Sequence, residues 1–167
     1  VPPVAADHLS VAELVAVTML DLREQVERAR AGVCPNCWGS VDAALPSANP
    51  TLPSMADVGV PDDALLATFT CERCPTSFDL PPGACFVDHP AVAAFHHDHG
   101  EDIRYRPYVA LPFCGIGRAD LESEDPVRVR VDVRLDGDAL HLWLDGETDV
   151  VEYERETGVG EGERGGE

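Results

Sequence analysis

Two short segments, "VCPNCWGSVD" and "TFTCERCPTSFD", each contain a Cys-x-x-Cys pair, formed by Cys34 with Cys37 and by Cys71 with Cys74. Structural zinc sites take four thiolate or imidazole ligands in a tetrahedron, and each Cys-x-x-Cys turn directs two sulfur atoms at one position. Four protein ligands leave no open position for water, so such a site stabilises a fold and does not activate water. The spacing predicts one structural Zn²⁺ ion bound by these four cysteines, with redox or disulfide chemistry as the alternative.

Other thiols and imidazoles in the chain could form a second site. Cys85 and Cys114 are interpreted as buried small hydrophobic residues, and a second thiol site that senses oxidant or metal is the alternative. In "DHPAVAAFHHDHG", His96 and His99 are three residues apart on an expected helix and could share a metal with His89 or Asp98. Solvated histidines at the polar end of a short helix explain the same pattern.

An arginine stripe is expected on one strand. Arg128, Arg130 and Arg134 alternate with valines in "VRVRVDVRL", which places them on the polar face of that strand. Pairing with Asp and Glu on neighbouring strands is the favoured interpretation, and an anion-binding or partner-binding surface is the alternative.

The charge of the chain limits its partners. The 167 residues include 31 acidic and 12 basic residues, which gives a net charge of −19. The 12 basic residues are all Arg. Such a surface favours a salt-loving archaeal source and argues against strong DNA binding by this chain alone, because phosphate binding depends on Lys and Arg. No long apolar stretch or signal-peptide pattern is present, so we expect a cytoplasmic protein with reduced thiols and no membrane partner.

The first strong element is a helix over residues 10–32, preceded by an N-terminal extension of residues 1–9. Ser10 and Glu13 have capping-box spacing, and Gly32 supplies the stop. Alternating steps of four and three residues form a seam typical of two paired helices, so residues 10–32 are interpreted as a linker or dimerisation helix. The seam consists of Val11, Val15, Thr18, Leu22, Gln25 and Ala29.

Residues 33–155 are expected to form one zinc-ribbon-containing α+β domain. Pro-rich residues 43–65 predict a loop, residues 88–100 a short helix with Val92 and Phe95 inward, and residues 127–153 a small antiparallel β-meander with a turn at 136–137. Residues 156–167 predict a disordered, acidic, Gly-rich tail. The fold class is therefore α+β, with a long N-terminal helix, a four-cysteine zinc ribbon, a short helix and a meander.

The order of these motifs resembles a known family. The segments "GVCPNCWGSVD", "FTCERCPTSFDLPPGACFVDHPAVAAFHHDHG", "LPFC" and "SEDPVRVRVDVRLDGDALHLWLDGETDVVEYER" are similar to the carboxyl-terminal region of haloarchaeal ArsR-like winged-helix transcription regulators. In that family a winged helix-turn-helix precedes a zinc-ribbon-containing domain. The resemblance covers about residues 9–155 and implies Cys34, Cys37, Cys71 and Cys74 as the metal ligands.

The expected function follows from the motifs and the resemblance together. Only nine residues precede Ser10, so DNA contact is expected only through a winged helix-turn-helix absent from this chain. No arrangement typical of a catalytic site stands out, and we expect no enzyme. The chain is interpreted as the sensing or dimerisation part of a regulator, a homodimer that binds zinc, with a free-standing zinc-ribbon adaptor that mediates protein–protein interaction as the alternative.

Overall fold

The computed structural model describes residue 4 and residues 7–46 and 64–158. These residues form two α-helices and two antiparallel sheets, which confirms the α+β class. Helix α1 spans Val11–Arg30, and the predicted capping box is present: the Ser10 hydroxyl accepts from the Glu13 amide at 3.3 Å, and the Glu13 carboxylate accepts from the Ser10 amide at 2.8 Å.

Only the C-terminal half of α1 packs against the rest of the chain. Its buried residues are Arg23, Val26 and Ala29. The first part of the predicted seam is exposed, with Val11 79% and Val15 55% accessible. The seam is therefore divided, since its last turn belongs to the core of the chain and its first turns face outward.

The first sheet has three short strands, in the order β1-β2-β3 with both pairs antiparallel. They are β1 Val41–Ala44, β2 Ala67–Cys71 and β3 Ser77–Leu80. Strand β1 includes the first residues of the predicted loop 43–65, because Ala43 and Ala44 pair with Phe69 and Thr68. Residues 47–63 of that loop lie outside the described residues.

Three 3₁₀ turns and helix α2 connect the two sheets. The turns are Pro82–Phe86, Tyr108–Ala110 and Pro112–Cys114, and α2 spans Pro90–Asp98. His89 caps α2, and Val92 and Phe95 are buried as predicted. The first and third turns touch at Gly83, where an added Cβ would lie 1.9 Å from the Phe113 carbonyl oxygen, so only glycine fits there.

The second sheet is a four-stranded antiparallel meander in chain order. Its strands are β4 Ala119–Glu124, β5 Val127–Leu135, β6 Asp138–Leu144 and β7 Val150–Glu156. The predicted turn is present, since Asp136 and Gly137 both have positive φ, at 51° and 90°. Strand β4 was not predicted, and β7 extends to Glu156, the first residue of the predicted tail. Residues 159–167 of that tail lie outside the described residues.

One continuous core joins all of these elements. Val131 and Leu142 from the inner face of the meander belong to the same cluster as Phe95 of α2, Phe69 of the three-stranded sheet and Val26 of α1. The ribbon is therefore packed into the domain and is not an independent module.

Candidate metal centre

The four predicted ligands converge on one point. The Sγ atoms of Cys34 and Cys74 are 3.7 Å apart, those of Cys37 and Cys71 are 3.5 Å apart, and all four lie within 4.8 Å of one another. Zinc–sulfur bonds of about 2.3 Å in a tetrahedron place sulfur atoms about 3.8 Å apart. The cysteines are thus positioned to hold a metal ion at the spacing that tetrahedral zinc requires.

The first Cys-x-x-Cys turn precedes β1 and is closed by backbone hydrogen bonds. The Trp38 amide donates to the Cys34 carbonyl at 3.1 Å, and the Cys34 amide donates to the Gly39 carbonyl at 2.8 Å. Trp38 adopts a positive φ of 62° to complete the turn. A Cβ at Gly39 would lie 3.3 Å from the Cys37 sulfur and 3.0 Å from Cβ of Arg73, which explains a glycine at this position.

The second turn follows β2 and leads into β3. The Cys71 amide donates to the Thr76 carbonyl at 2.9 Å, and the Arg73 amide donates to the Cys71 sulfur at 3.3 Å. The Thr76 hydroxyl lies 3.2 Å from the Cys74 sulfur. Thr76 is not among the predicted site residues, although it stands two residues after Cys74, the same offset that separates Gly39 from Cys37.

The electrostatics of the cluster suit a cation. Hydrogen bonds from the Thr76 side chain and amide lower the pKa of Cys74 to about 6, and the amides of Cys37 and Asn36 lower the pKa of Cys34. The Gly39 amide favours the Cys37 thiolate, but the neighbouring thiols outweigh it and raise its pKa to about 12. Four sulfurs in contact cannot all ionise without a compensating positive charge, and a bound Zn²⁺ would supply it. The donor set therefore fits zinc.

Comparison with known families gives one match. A family model described as "Domain of unknown function (DUF7351)" matches residues 1–150. The chain belongs to this family. No curated protein and no solved structure matches the chain. The DUF7351 region contains all four cysteines of the cluster, so the metal centre is placed within the family domain and not in the C-terminal tail.

The structure does not assemble the candidate second site. Among the described residues, the four-cysteine cluster is the one group of three or more His, Cys, Asp or Glu side chains whose ligand atoms come close enough for a metal. Cys85 and Cys114 are both buried. Burial raises the pKa of Cys85 to about 12 and also raises the pKa of Cys114. Both fit the interpretation as core residues.

The three histidines are each held by a different local contact. His89 Nδ1 accepts from the Ala91 amide at 3.3 Å as the cap of α2. His99 Nδ1 donates to the Phe95 carbonyl at 2.7 Å, and its Nε2 lies 3.4 Å from Asp138. His96 is buried, with Nδ1 3.1 Å from a Glu101 carboxylate oxygen. These contacts separate the imidazoles, so they do not converge as a metal site would require.

The arginine stripe is paired with carboxylates. Arg130 donates to Asp132 at 2.8 Å, and Arg134 donates to the same residue at 2.7 Å. Arg128 pairs with Glu152 on β7, which lies beyond β6. The expected pairing with carboxylates is present, but Asp132 lies on β5 itself, and the adjacent-strand partner is Glu122 of β4, 3.9 Å from both Arg128 and Arg130. Binding of an anion or partner at the stripe stays a prediction.

An exposed tryptophan marks the rim of the metal centre. Trp38 is 73% accessible and lies one residue after Cys37. The Arg28 guanidinium of α1 lies 5.2 Å from the centre of the Trp38 ring and also donates to the Pro35 carbonyl at 3.4 Å. These two contacts link the end of α1 to the first Cys-x-x-Cys turn.

Neither helix in the described part of the chain combines the length and apolar character needed to cross a membrane.

Proposed function

We propose that this chain is a non-catalytic, zinc-binding regulatory domain of an archaeal transcription regulator of the ArsR-like winged-helix class. The observation that supports it most directly is the four-sulfur cluster, which has tetrahedral spacing and backbone amide donors at its sulfurs. With all four positions taken by protein ligands, the metal would organise the fold and would not bind a substrate. The regulatory role itself rests on the motif order described above.

The proposal assigns DNA contact to a different segment. The net charge of −19 disfavours close approach to phosphates, and most basic side chains near the meander are paired with carboxylates. DNA would then be bound by a winged helix-turn-helix outside residues 1–167. This chain would supply metal-dependent structure and assembly.

Assembly is proposed to use α1 and a second copy of the chain. Three residues of the heptad-like seam are exposed in the described part of the chain: Val11 at 79%, Val15 at 55% and Leu22 at 37%. Their alternating spacing of four and three residues matches a seam between two helices, and a second α1 would present the same seam in a two-fold arrangement. The acidic charge opposes such pairing at low ionic strength, so the dimer should form in high salt.

Metal analysis tests the zinc part of the proposal. Purified protein should contain about one zinc ion per chain, as one four-cysteine site requires. Cys71→Ser should lose both the metal and cooperative folding, since binding free energy at such a site contributes directly to folding. Cys114→Ala, a buried cysteine outside the cluster, should retain zinc. A metal-free chain that is fully folded would contradict the proposal.

Light scattering at multimolar salt tests the assembly part. Leu22→Glu should convert the dimer to a monomer that retains zinc. Leu20→Glu is a matched control, because Leu20 and Leu22 have nearly equal exposure, 36% and 37%, and point to opposite sides of the helix. Equal effects of the two substitutions, or a monomeric wild type at high concentration, would refute pairing through this seam.

The alternative function, a zinc-ribbon adaptor, is favoured by one observation. Trp38 exposes most of a large aromatic side chain beside the metal centre, and such residues are typical of interface anchors. A monomeric, zinc-loaded chain that binds another protein and loses that binding in Trp38→Ala would support the adaptor over the dimeric regulator.

A further inference from the structure

Strand β7 is an open edge of the meander. It is the last strand of the sheet, and within the described ranges its backbone forms hydrogen bonds with no element other than β6. Every residue of β7 after Val150 is exposed. An open edge offers a row of unpaired N–H and C=O groups to another chain, and proteins commonly protect it with Lys, Pro, a bulge or a covering loop.

The sequence of β7 contains little of this protection. The strand, "VVEYERE", has no Lys and no Pro, and the register shift in its pairing with β6 lies at its beginning, near Val150. Residues 152–156 pair with β6 without interruption. Two large apolar side chains are also exposed, Val151 at 54% and Tyr153 at 58%. Strand β7 therefore combines a regular, accessible edge with exposed apolar surface.

Tyr153 marks the inner face of β7. It pairs with Leu142, which is buried in the core, and the centre of its ring lies 5.6 Å from that of His89 at the start of α2. Side chains alternate between the two faces along a strand, so the glutamates at positions 152, 154 and 156 share the outer face. A strand added at this edge would meet an aromatic side chain on one face and a row of carboxylates on the other.

The carboxylates of this row remain accessible. Glu152 pairs with Arg128 but keeps 54% of its side chain exposed, and Glu156, near His141, is 72% exposed. Glu154 is exposed, and no ion pair to its carboxylate occurs within the described ranges. Cations placed opposite these groups would form favourable cross-strand pairs, and the net charge of −19 adds a general attraction for a basic partner.

A second copy of β7 is a poor occupant of this edge. In an antiparallel pair centred on Tyr153, Glu152 of each copy would lie opposite Glu154 of the other. Like charges directly opposite each other destabilise a pair of strands. The charge pattern therefore favours a different chain of opposite sign.

We propose that β7 binds an extended basic segment of a partner protein, which adds to the meander as a further strand. Arg or Lys at alternate positions of that segment would pair with Glu152, Glu154 and Glu156, and the apolar residues between them would cover Tyr153. Backbone hydrogen bonds to the β7 edge would supply affinity, and the alternation would supply specificity. The inference rests on β7 and not on the proposed regulatory role, so either can fail while the other stands.

Binding is tested by titrating the folded, zinc-loaded chain with a capped peptide of alternating arginine and valine that has the length of β7, 7 residues. It should bind with a Kd below about 1 mM and slow amide hydrogen exchange in residues 150–156 at least about tenfold, with no change in β4 at the opposite edge. Control peptides keep the charge: one has its arginines in a single block, and another has every backbone amide N-methylated. Both should bind at least about tenfold more weakly, because neither can pair as a strand with cations opposite the glutamates.

A charge reversal locates the binding. Glu154→Arg should weaken binding of the alternating peptide about threefold to tenfold, since repulsion replaces one cross-strand pair. Glu124→Arg is the matched control, because Glu124 is an exposed carboxylate on β4, at the opposite edge of the same sheet. The proposal is overturned if both substitutions have equal effects or if a control peptide binds as tightly as the alternating one. A dimer of the chain alone that protects the β7 amides from exchange would also overturn it, since a second copy would then occupy the edge.

Discussion

Arg23 is a buried cation that joins α1 to the rest of the chain, and its replacement by Met should destabilise the fold. The Arg23 side chain is 9% exposed. It donates to the Ile103 carbonyl at 2.9 Å, to Asp88, and to Glu27 at 3.2 Å. Methionine has a similar length and preserves most apolar contacts, but it removes every donor. The change therefore isolates the polar interactions from the packing.

The magnitude follows from the surroundings of each acceptor. The Ile103 carbonyl keeps the Arg106 amide as a donor at 3.2 Å, so the cost there is loss of one buried hydrogen bond from a charged side chain, about 1.5–3 kcal/mol. The Asp88 side chain is 33% exposed and regains water, so loss of its ion pair adds only about 1 kcal/mol. Glu27 is more exposed and contributes at most about 0.5 kcal/mol. The expected loss in the free energy of unfolding is about 2–4 kcal/mol.

Urea unfolding of zinc-loaded protein measures this loss. Arg104→Ala removes an exposed ion pair and should change stability by no more than about 0.5 kcal/mol. The effect of Arg23→Met should persist in multimolar salt, since buried pairs are screened far less than exposed ones. A loss below about 1 kcal/mol, or one that disappears in high salt, would refute the assignment of Arg23 as a buried anchor.

Three further predictions concern the core, the metal turn and pH. Leu142→Ala should cost about 2–5 kcal/mol in urea unfolding, because the side chain is fully buried, whereas exposed Val151→Ala should stay within about 0.5 kcal/mol. Gly39→Ala should weaken zinc binding by about tenfold or more in a chelator competition, because the methyl group would press on the Cys37 sulfur, and unchanged affinity would contradict the tight turn. The pKa of His96 is lowered from 6.5, so its contribution to stability is present above that pH and is lost as the pH falls through the lowered pKa. With zinc in excess, His96→Gln should flatten this part of the stability profile, and an unchanged profile would show that another group titrates.

Much of the fold could be predicted because its signals are local. The capping box at Ser10, the alternating valines of β5 and the Asp136-Gly137 turn all depend on neighbours in sequence, and each is present. Strand β4 escaped prediction because its sequence, "ADLESE", is half acidic and its faces are only partly buried. Its position is set by pairing with β5, a tertiary interaction that no pattern within residues 119–124 reveals.

The candidate sites also depend partly on local sequence signals and partly on tertiary contacts. Two Cys-x-x-Cys pairs predict a four-sulfur cluster because each pair fixes two sulfurs locally, and only the meeting of the pairs depends on the fold. A cavity lined by His96 of α2 and Leu135 of β5 could not be predicted, because these residues are far apart in sequence. The histidine pattern predicted that His96 could share a metal with His99. In the structure the His96 ring is instead buried, with Nδ1 facing Glu101.

Backbone hydrogen bonds connect the first metal-binding turn to the C-terminal end of α1. The chain leaves α1 through Gly32, which has a positive φ of 76°, and the Val33 amide returns to the Arg28 carbonyl at 3.0 Å. The Val41 amide at the start of β1 donates to the Gly32 carbonyl at 3.1 Å, so the first metal turn lies between two bonds to the end of the helix. Loss of zinc would release that turn and remove one of the attachments of α1, which is also held by its buried residues Arg23, Val26 and Ala29. Under the proposed function, metal occupancy and the direction of α1 are therefore coupled, and whatever binds α1 must in turn influence the metal affinity.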